Sequence, residues 1–157
     1  MLSLRIMALF FSLLLAATQA AAAEKEMPFR EDSGLSKAEY LLSAGQFSAA
    51  LDTVDDVLMR HPNNADAYTY RGYAYHRLGE TAAAAKSFRM ALQLNPTHLG
   101  ANKYLADMYL EAGKVSLALE QLQVIRMTCG RTDCEELRAL EREIDQHKQG
   151  GRAEKKD

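Results

Sequence analysis

Small, aromatic and turn residues recur every 34 positions in this chain, and that period fixes the architecture before local propensity has a say. Gly45, Gly79 and Gly113 form one rung of the ladder. Ala50, Ala84 and Ala118 form a second, Val54, Phe88 and Leu122 a third, and Leu41, Tyr75 and Tyr109 a fourth. A unit of this length holds two amphipathic helices around a glycine stop, and neither buries its apolar face alone. The units must stack, so an all-α array with a shared core is expected.

Three units align without gaps, over residues 31–64, 65–98 and 99–132. In the first, Ser36-Lys37-Ala38-Glu39 reads as a capping box that opens a helix, and Ala44-Gly45 ends it. A second helix runs from about Phe47 to Arg60, ahead of Pro62. The second unit repeats this with helices over Ala65 to Leu78 and Thr81 to Leu94, before Pro96. The third has helices over Thr97 to Ala112 and Val115 to Met127, with Gly130 in the proline's place. A single helix, expected over residues 133–147, then opens at Thr132-x-x-Glu135. Its Leu137, Leu140 and Ile144 form an apolar stripe, while Arg138, Glu141, Arg142 and Asp145 face water, as a terminal cap requires.

The small residues have a steric task. Ala38, Gly72 and Ala106 on the first helices, and Ala50, Ala84 and Ala118 on the second, let paired axes approach closely. Tyr68, Tyr75, Phe88, Tyr109 and Leu122 are the candidate core between successive units.

The ends of the chain follow other rules. Arg5, the apolar run from Ile6 to Leu15 and the small residues from Ala16 to Ala23 read as a cleavable secretory signal over residues 1–23, cut after Ala22 or Ala23. Thr18 and Gln19 break the run well short of the length a membrane-spanning helix needs. Residues 24–34 read as a flexible lead-in and 148–157, opened by Gly150-Gly151, as a disordered tail. The folded domain is therefore expected over residues 35–147. Net charge is -2 for the whole chain, which excludes an electrostatic nucleic-acid binder.

The second unit resembles the tetratricopeptide repeat almost position for position, through Tyr68, Gly72, Tyr75, Ala84, Phe88, Ala91 and Pro96. The first matches with Ala38, Leu41, Ala50, Val54, Val57 and Pro62, the third with Leu105, Ala106, Tyr109, Ala118 and Ile125. Gly34 and Asn102 depart from the family's bulky aromatic, Arg71 from its leucine and Gly130 from its proline. The segment Cys129-x4-Cys134-Glu-Glu-Leu is similar to the ending of small exported tetratricopeptide proteins of proteobacteria. The resemblance implies a right-handed superhelical array of three helix-turn-helix units with a C-terminal capping helix. It also implies a binding scaffold whose concave face is lined by the first helices. By position, that face holds Glu39, Leu42 and Ser43, then Thr69, Tyr73, His76 and Arg77, then Lys103, Asp107 and Leu110. This strip suits an extended peptide or a single helix. The Lys, Arg and Asn clamp that some family members use for a terminal carboxylate is not evident in it.

An exported chain meets an oxidising compartment, where a Cys129–Cys134 bridge would close a short loop and pin the cap by roughly 2 kcal/mol. The sharper alternative is a thiol-redox role, with Cys134 near a helix N-terminus and Arg126 and Arg131 nearby in sequence. His61, His76, His98 and His147 are scattered, so no metal set is expected. No nucleophile motif and no phosphate-cradling loop is present, so neither an enzyme nor a cofactor is expected. The reading is a periplasmic or secreted, non-catalytic scaffold for a protein or peptide of the cell envelope. The alternatives are a redox accessory protein and a structural oligomerisation module.

Overall fold

The structure, a computed structural model, describes residues 33–130 and 134–153. The secretory segment, the lead-in up to residue 32, the capping residue Thr132 and the last four residues lie outside them. Seven helices occupy the described residues: α1 (Ser33–Ser43), α2 (Phe47–Arg60), α3 (Ala65–Arg77), α4 (Thr81–Leu94), α5 (Leu99–Glu111), α6 (Val115–Cys129) and α7 (Glu135–Ala153). They form an all-α helical repeat array in which each helix packs on the next, as the 34-residue ladder requires.

The glycine rung ends the first helix of every unit by one mechanism. Gly45, Gly79 and Gly113 have φ of 72°, 82° and 69°, a left-handed conformation that side chains disfavour. At the second of them, the Gly79 N–H donates to the His76 carbonyl (3.0 Å) and the Glu80 N–H to the Tyr75 carbonyl (2.9 Å). That pair of bonds satisfies two carbonyls the helix end would otherwise orphan. The same pair recurs at Gln46 and at Lys114, so the turn is copied with the ladder.

The small residues sit where the helices come closest. Ala38, Ala50, Ala84, Ala106 and Ala118 are fully buried. A Cβ built on Gly72 would lie 2.5 Å from Phe88 Cε1, so α3 and α4 meet at van der Waals limits. Phe88 is itself fully buried, among Ala84, Leu105 and Met108. The departures from the family pattern find local partners. Arg71 stacks over the Tyr68 ring (4.8 Å) and bridges α3 to Ser87 and Asp55 on the flanking helices. Asn102 is buried and donates to the Pro96 and His98 carbonyls, tying the α4–α5 turn. Gly34 faces Val57 at a distance that leaves no room for a side chain.

Three boundary expectations are corrected. The box at Ser36 and Glu39 does not open α1, which starts at Ser33 and carries both residues inside its first turns. α5 starts at Leu99, because the His98 side chain takes the capping position: its Nδ1 accepts from the Ala101 N–H (3.1 Å). That bond leaves the proton on Nε2, which donates to Asp66 Oδ1 (2.8 Å) and joins the starts of α5 and α3. The last helix, expected to end near Gln146 with a disordered tail from residue 148, continues through Gly150 and Gly151 to Ala153. Each glycine costs a helix about 1 kcal/mol relative to alanine, but propagation from turns anchored by Leu140 and Ile144 needs no new nucleus.

α7 packs on α5 and α6. Leu140 and Ile144 are buried in a cluster with Leu122, Ile125 and Cys129. Arg126 donates to Glu141 (2.8 Å) across α6 and α7. Cys129 and Cys134 stand paired at disulfide distance, Cα to Cα 6.1 Å, with Cys129 buried. A sulfur enclosed in this way is poorly placed for exchange with an incoming thiol. The expected result for Cys129→Ser is a loss of about 2 kcal/mol. Hydrogen exchange should place that loss on α7. Unchanged protection there would remove the structural role for the pair.

Candidate functional site

The first helices touch in a row, α1 on α3, α3 on α5 and α5 on α7. Among the described residues, the backbones of α2, α4 and α6 do not approach one another closely. On the face where the first helices and the cap run side by side, a groove of about 740 Å³ lies along α3, α5 and α7. It is lined by Tyr73, His76 and Arg77 from α3 and by Lys103, Asp107 and Leu110 from α5, all six expected on this face. A recess of about 220 Å³ adjoins it, lined by Glu39, Leu42 and Ser43 of α1, with Tyr70, Tyr73 and Tyr104.

Thr69 does not belong to the groove. It is buried, its hydroxyl donates to the Ala65 carbonyl (2.9 Å), and His98 Nε2 lies 3.5 Å away. It stands one helical turn before Tyr73, where α3 packs beside the start of α5, so its hydroxyl is spent within the core.

Tyr104 and Glu111 also line the groove and were missed, although the ladder carries both. Tyr104 follows Tyr70 by 34 positions, and Glu111 occupies the register of Ser43 and Arg77. Glu143, Gln146 and His147 of α7 complete the far wall. They stand 36 positions after Asp107, Leu110 and Glu111, because α6 and the link after it are each one residue longer than in the earlier units. α7 thus serves as the first helix of a fourth unit with a shifted register.

Tyr73 and Tyr104 form the groove's aromatic floor, backed by Phe47 and Phe88. Phe47 meets Tyr73 edge-on (6.3 Å between centroids), Tyr73 meets Tyr104 (4.8 Å), and Tyr104 stacks on Phe88 (5.9 Å). Arg77 lies over the Phe47 ring (4.8 Å) and donates through Nη1 to the Tyr73 hydroxyl (2.8 Å). His76 Nε2 pairs with Glu111 Oε2 at 2.8 Å, linking the ends of α3 and α5. These contacts fix side chains that would otherwise lose rotamer entropy on binding a partner.

At the cap end, Lys103 Nζ donates to Asp107 Oδ2 (2.7 Å) and to Glu143 Oε1 (3.0 Å). One cation serves two carboxylates. Burial pushes the Asp107 carboxyl up to about 7, and its hydrogen bond with Glu143 adds to this against the pull of Lys103. Burial also works against the Glu143 charge, but hydrogen bonds from Asp107 and Lys103 outweigh it and hold Glu143 below the usual carboxylate range. Burial disfavours the Lys103 charge as well, yet the two carboxylates raise its pKa. Asp107 Oδ1 is buried without a hydrogen-bond partner, which adds to the cost of its charge. The phenol of Tyr104 is pushed up by burial first and then by Tyr73.

Among the described residues no helix is long and apolar enough to cross a membrane, and no group of His, Cys, Asp and Glu is placed to hold a metal ion.

Residues 35–98 match the family model of the tetratricopeptide repeat. The chain is 36% identical over 87 residues to a tetratricopeptide repeat and J domain-containing co-chaperone of Fusarium oxysporum, covering 55% of this chain and 17% of that protein. It is 29% identical over 89 residues to superkiller protein 3 of Saccharomyces cerevisiae, covering 57% of this chain and 6% of that one. The chain therefore spans less than a fifth of the length of these curated relatives. Among solved structures, it is similar to the TPR2B domain of yeast Sti1 in a complex with pHsp70 (TM-score 0.67, 16% identity, 76% of this chain and 97% of that one). It is similar too to the type III secretion translocator chaperone SycD of Yersinia enterocolitica (TM-score 0.66, 12% identity, 85% of this chain and 100% of that one). At these identities the likeness speaks for the fold.

Proposed function

We propose that this chain is a non-catalytic tetratricopeptide-repeat scaffold that holds a protein or peptide partner in the groove along α3, α5 and α7, and that it works in the bacterial cell envelope. The observation that carries the binding role is the row of preorganised rings in the groove. Tyr73 and Tyr104 offer large contact area at low entropic cost, and buried aromatic anchors dominate binding energy in interfaces of this kind. Support from relatives is general: Sti1's TPR2B domain is seen with pHsp70, and SycD is a translocator chaperone. The envelope setting is supported by the signal-like residues 1–23 and by the Cys129–Cys134 pair, which an oxidising compartment would keep closed.

Two measurements test this. Peptides selected on the immobilised full chain should lose about tenfold or more in affinity on Tyr73→Ala, because an anchor ring is worth about 2 kcal/mol. Binding indifferent to Tyr73 would place the partner elsewhere. Fractionation of cells making the tagged chain should find it outside the cytoplasm and shortened at Ala22 or Ala23, and a full-length cytoplasmic product would sink the envelope reading.

A further inference from the structure

Three depressions meet at Tyr104: the groove, the recess toward α1, and a third of about 300 Å³ between α5 and the start of α7. They share the walls of Tyr73, Lys103 and Tyr104, and the trough they make up is lopsided in charge. Glu39, Asp107, Glu111, Glu135, Glu136 and Glu143 line it, against the permanent cations Arg77 and Lys103. The formal net charge of the whole chain is only -2, so the acidic excess is concentrated here. Neither cation is free to receive an anion. Lys103 is shared between Asp107 and Glu143, and Arg77 is held over Phe47 and on the Tyr73 hydroxyl. An acidic partner would meet uncompensated carboxylates and would have to break these pairs.

The accessible carboxylates lie around the rings. The Glu111 side chain is 64% exposed and that of Glu143 38%, so both are open to a partner's charge. Between them and the α1 recess run Tyr73 and Tyr104, 4.8 Å apart, an apolar surface for an aliphatic stem. A long side chain with an apolar stem and a cationic head matches both features, and the ring faces add cation–π attraction.

We propose that the trough receives a basic segment of the partner, its lysine or arginine heads against the carboxylates of α5 and α7 and its stems on the Tyr73 and Tyr104 rings. The inference rests on the scaffold reading and gives the partner's chemistry. Heads reaching Glu111, Glu143 and Glu39 would neutralise the excess that Arg77 and Lys103 leave, and complementarity of this kind governs the approach rate and the choice of partner.

The test uses the full chain and fluorescein-labelled peptides with blocked ends, in which leucine and alanine alternate with lysine, with glutamine or with glutamate. Anisotropy should show the lysine peptide binding about tenfold tighter than the glutamine peptide, with the glutamate peptide weakest and the lysine affinity falling as salt rises. The double variant Glu39→Gln, Glu111→Gln alters exposed groups and leaves the residue 111 side chain able to hydrogen-bond His76. Circular dichroism checks that the fold is kept, and the variant should lose most of the lysine preference. Asp52→Asn, Asp56→Asn on α2 removes the same charge outside the trough and should lose little. Equal loss in both variants would overturn the proposal, since the attraction would then be non-specific. A glutamine or glutamate peptide that binds as well as the lysine peptide, and is released by Tyr73→Ala, would overturn the basic preference and leave the scaffold reading standing. No binding of any probe, with unchanged circular dichroism, would overturn the proposal, while partners selected through Tyr73 would still speak for the scaffold.

Discussion

Phe88→Ala is expected to lower the unfolding free energy by about 3–5 kcal/mol, a large part of the 5–15 kcal/mol that a domain of this kind has in total. Phe88 is fully buried, its ring stacks on Tyr104, and it lies directly under Gly72 where α3 and α4 meet. Truncation leaves a void at the centre of the array, where the loss of one contact surface weakens both neighbouring units. Urea unfolding followed by circular dichroism measures the loss. The companion variant tests the reason. Gly72→Ala places a Cβ 2.5 Å from the Phe88 ring and should cost about 1–3 kcal/mol alone, through overpacking. In the Phe88→Ala background the same methyl enters the void, so the double variant should be more stable than additivity predicts. Additive losses would mean that the two residues do not share the space assigned to them.

That pair also shows how far the sequence could be read. Gly72 and Phe88 are rungs of a 34-residue ladder, and periodicity encodes steric complementarity directly: a small residue on one helix faces a large one on its partner. The glycine stops were legible for the same reason, since each is needed for one turn geometry. Helix starts were harder. Ser36 carries a capping pattern, but the chain is already helical at Ser33, and Gly34 packs on Val57 ahead of it. His98 caps α5 through Nδ1, while its other ring nitrogen is held by Asp66, 32 positions away, and no local pattern reports that support.

The groove was legible in part. Tyr73, His76, Arg77, Lys103, Asp107 and Leu110 line it as their positions imply, because the first helices keep their register across units. Thr69 failed because position predicts which way a residue points, and hydrogen bonding to Ala65 then closed it off. Glu143 lay beyond reach. α7 stands two positions off the 34-residue period, and two residues turn a helix by about 200°, so the period alone does not bring Glu143 to the inner face. The cluster of Lys103, Asp107 and Glu143 was invisible for that reason.

Removing the cation from that cluster is the second large effect. Lys103→Met keeps an unbranched apolar stem and leaves Asp107 facing Glu143 across α5 and α7. A buried pair that loses one partner costs about 3–5 kcal/mol, and partial exposure of all three groups reduces this to about 2 kcal/mol at pH 8. The deficit should depend on pH. Asp107 titrates at about 7 in the folded chain. The unfolded value is about 3.9, so Asp107 contributes stability that is complete below about pH 4 and is lost as pH rises through its folded pKa. Glu143 has the opposite sign: its folded pKa is lowered, so its contribution is present at neutral pH and is lost as pH falls through that value. Lys103 holds both carboxylates in one place and pulls against the burial that raises Asp107. Without it, a proton shared between Asp107 and Glu143 is the remaining way to join them, and that proton is present at pH 5 and is given up as pH rises. The Lys103→Met deficit should therefore shrink from pH 8 to pH 5, and hydrogen exchange should locate it on α7. A deficit equal at both pH values would show that Lys103 supports the cap through packing of its stem, and that the two carboxylates do not share a proton.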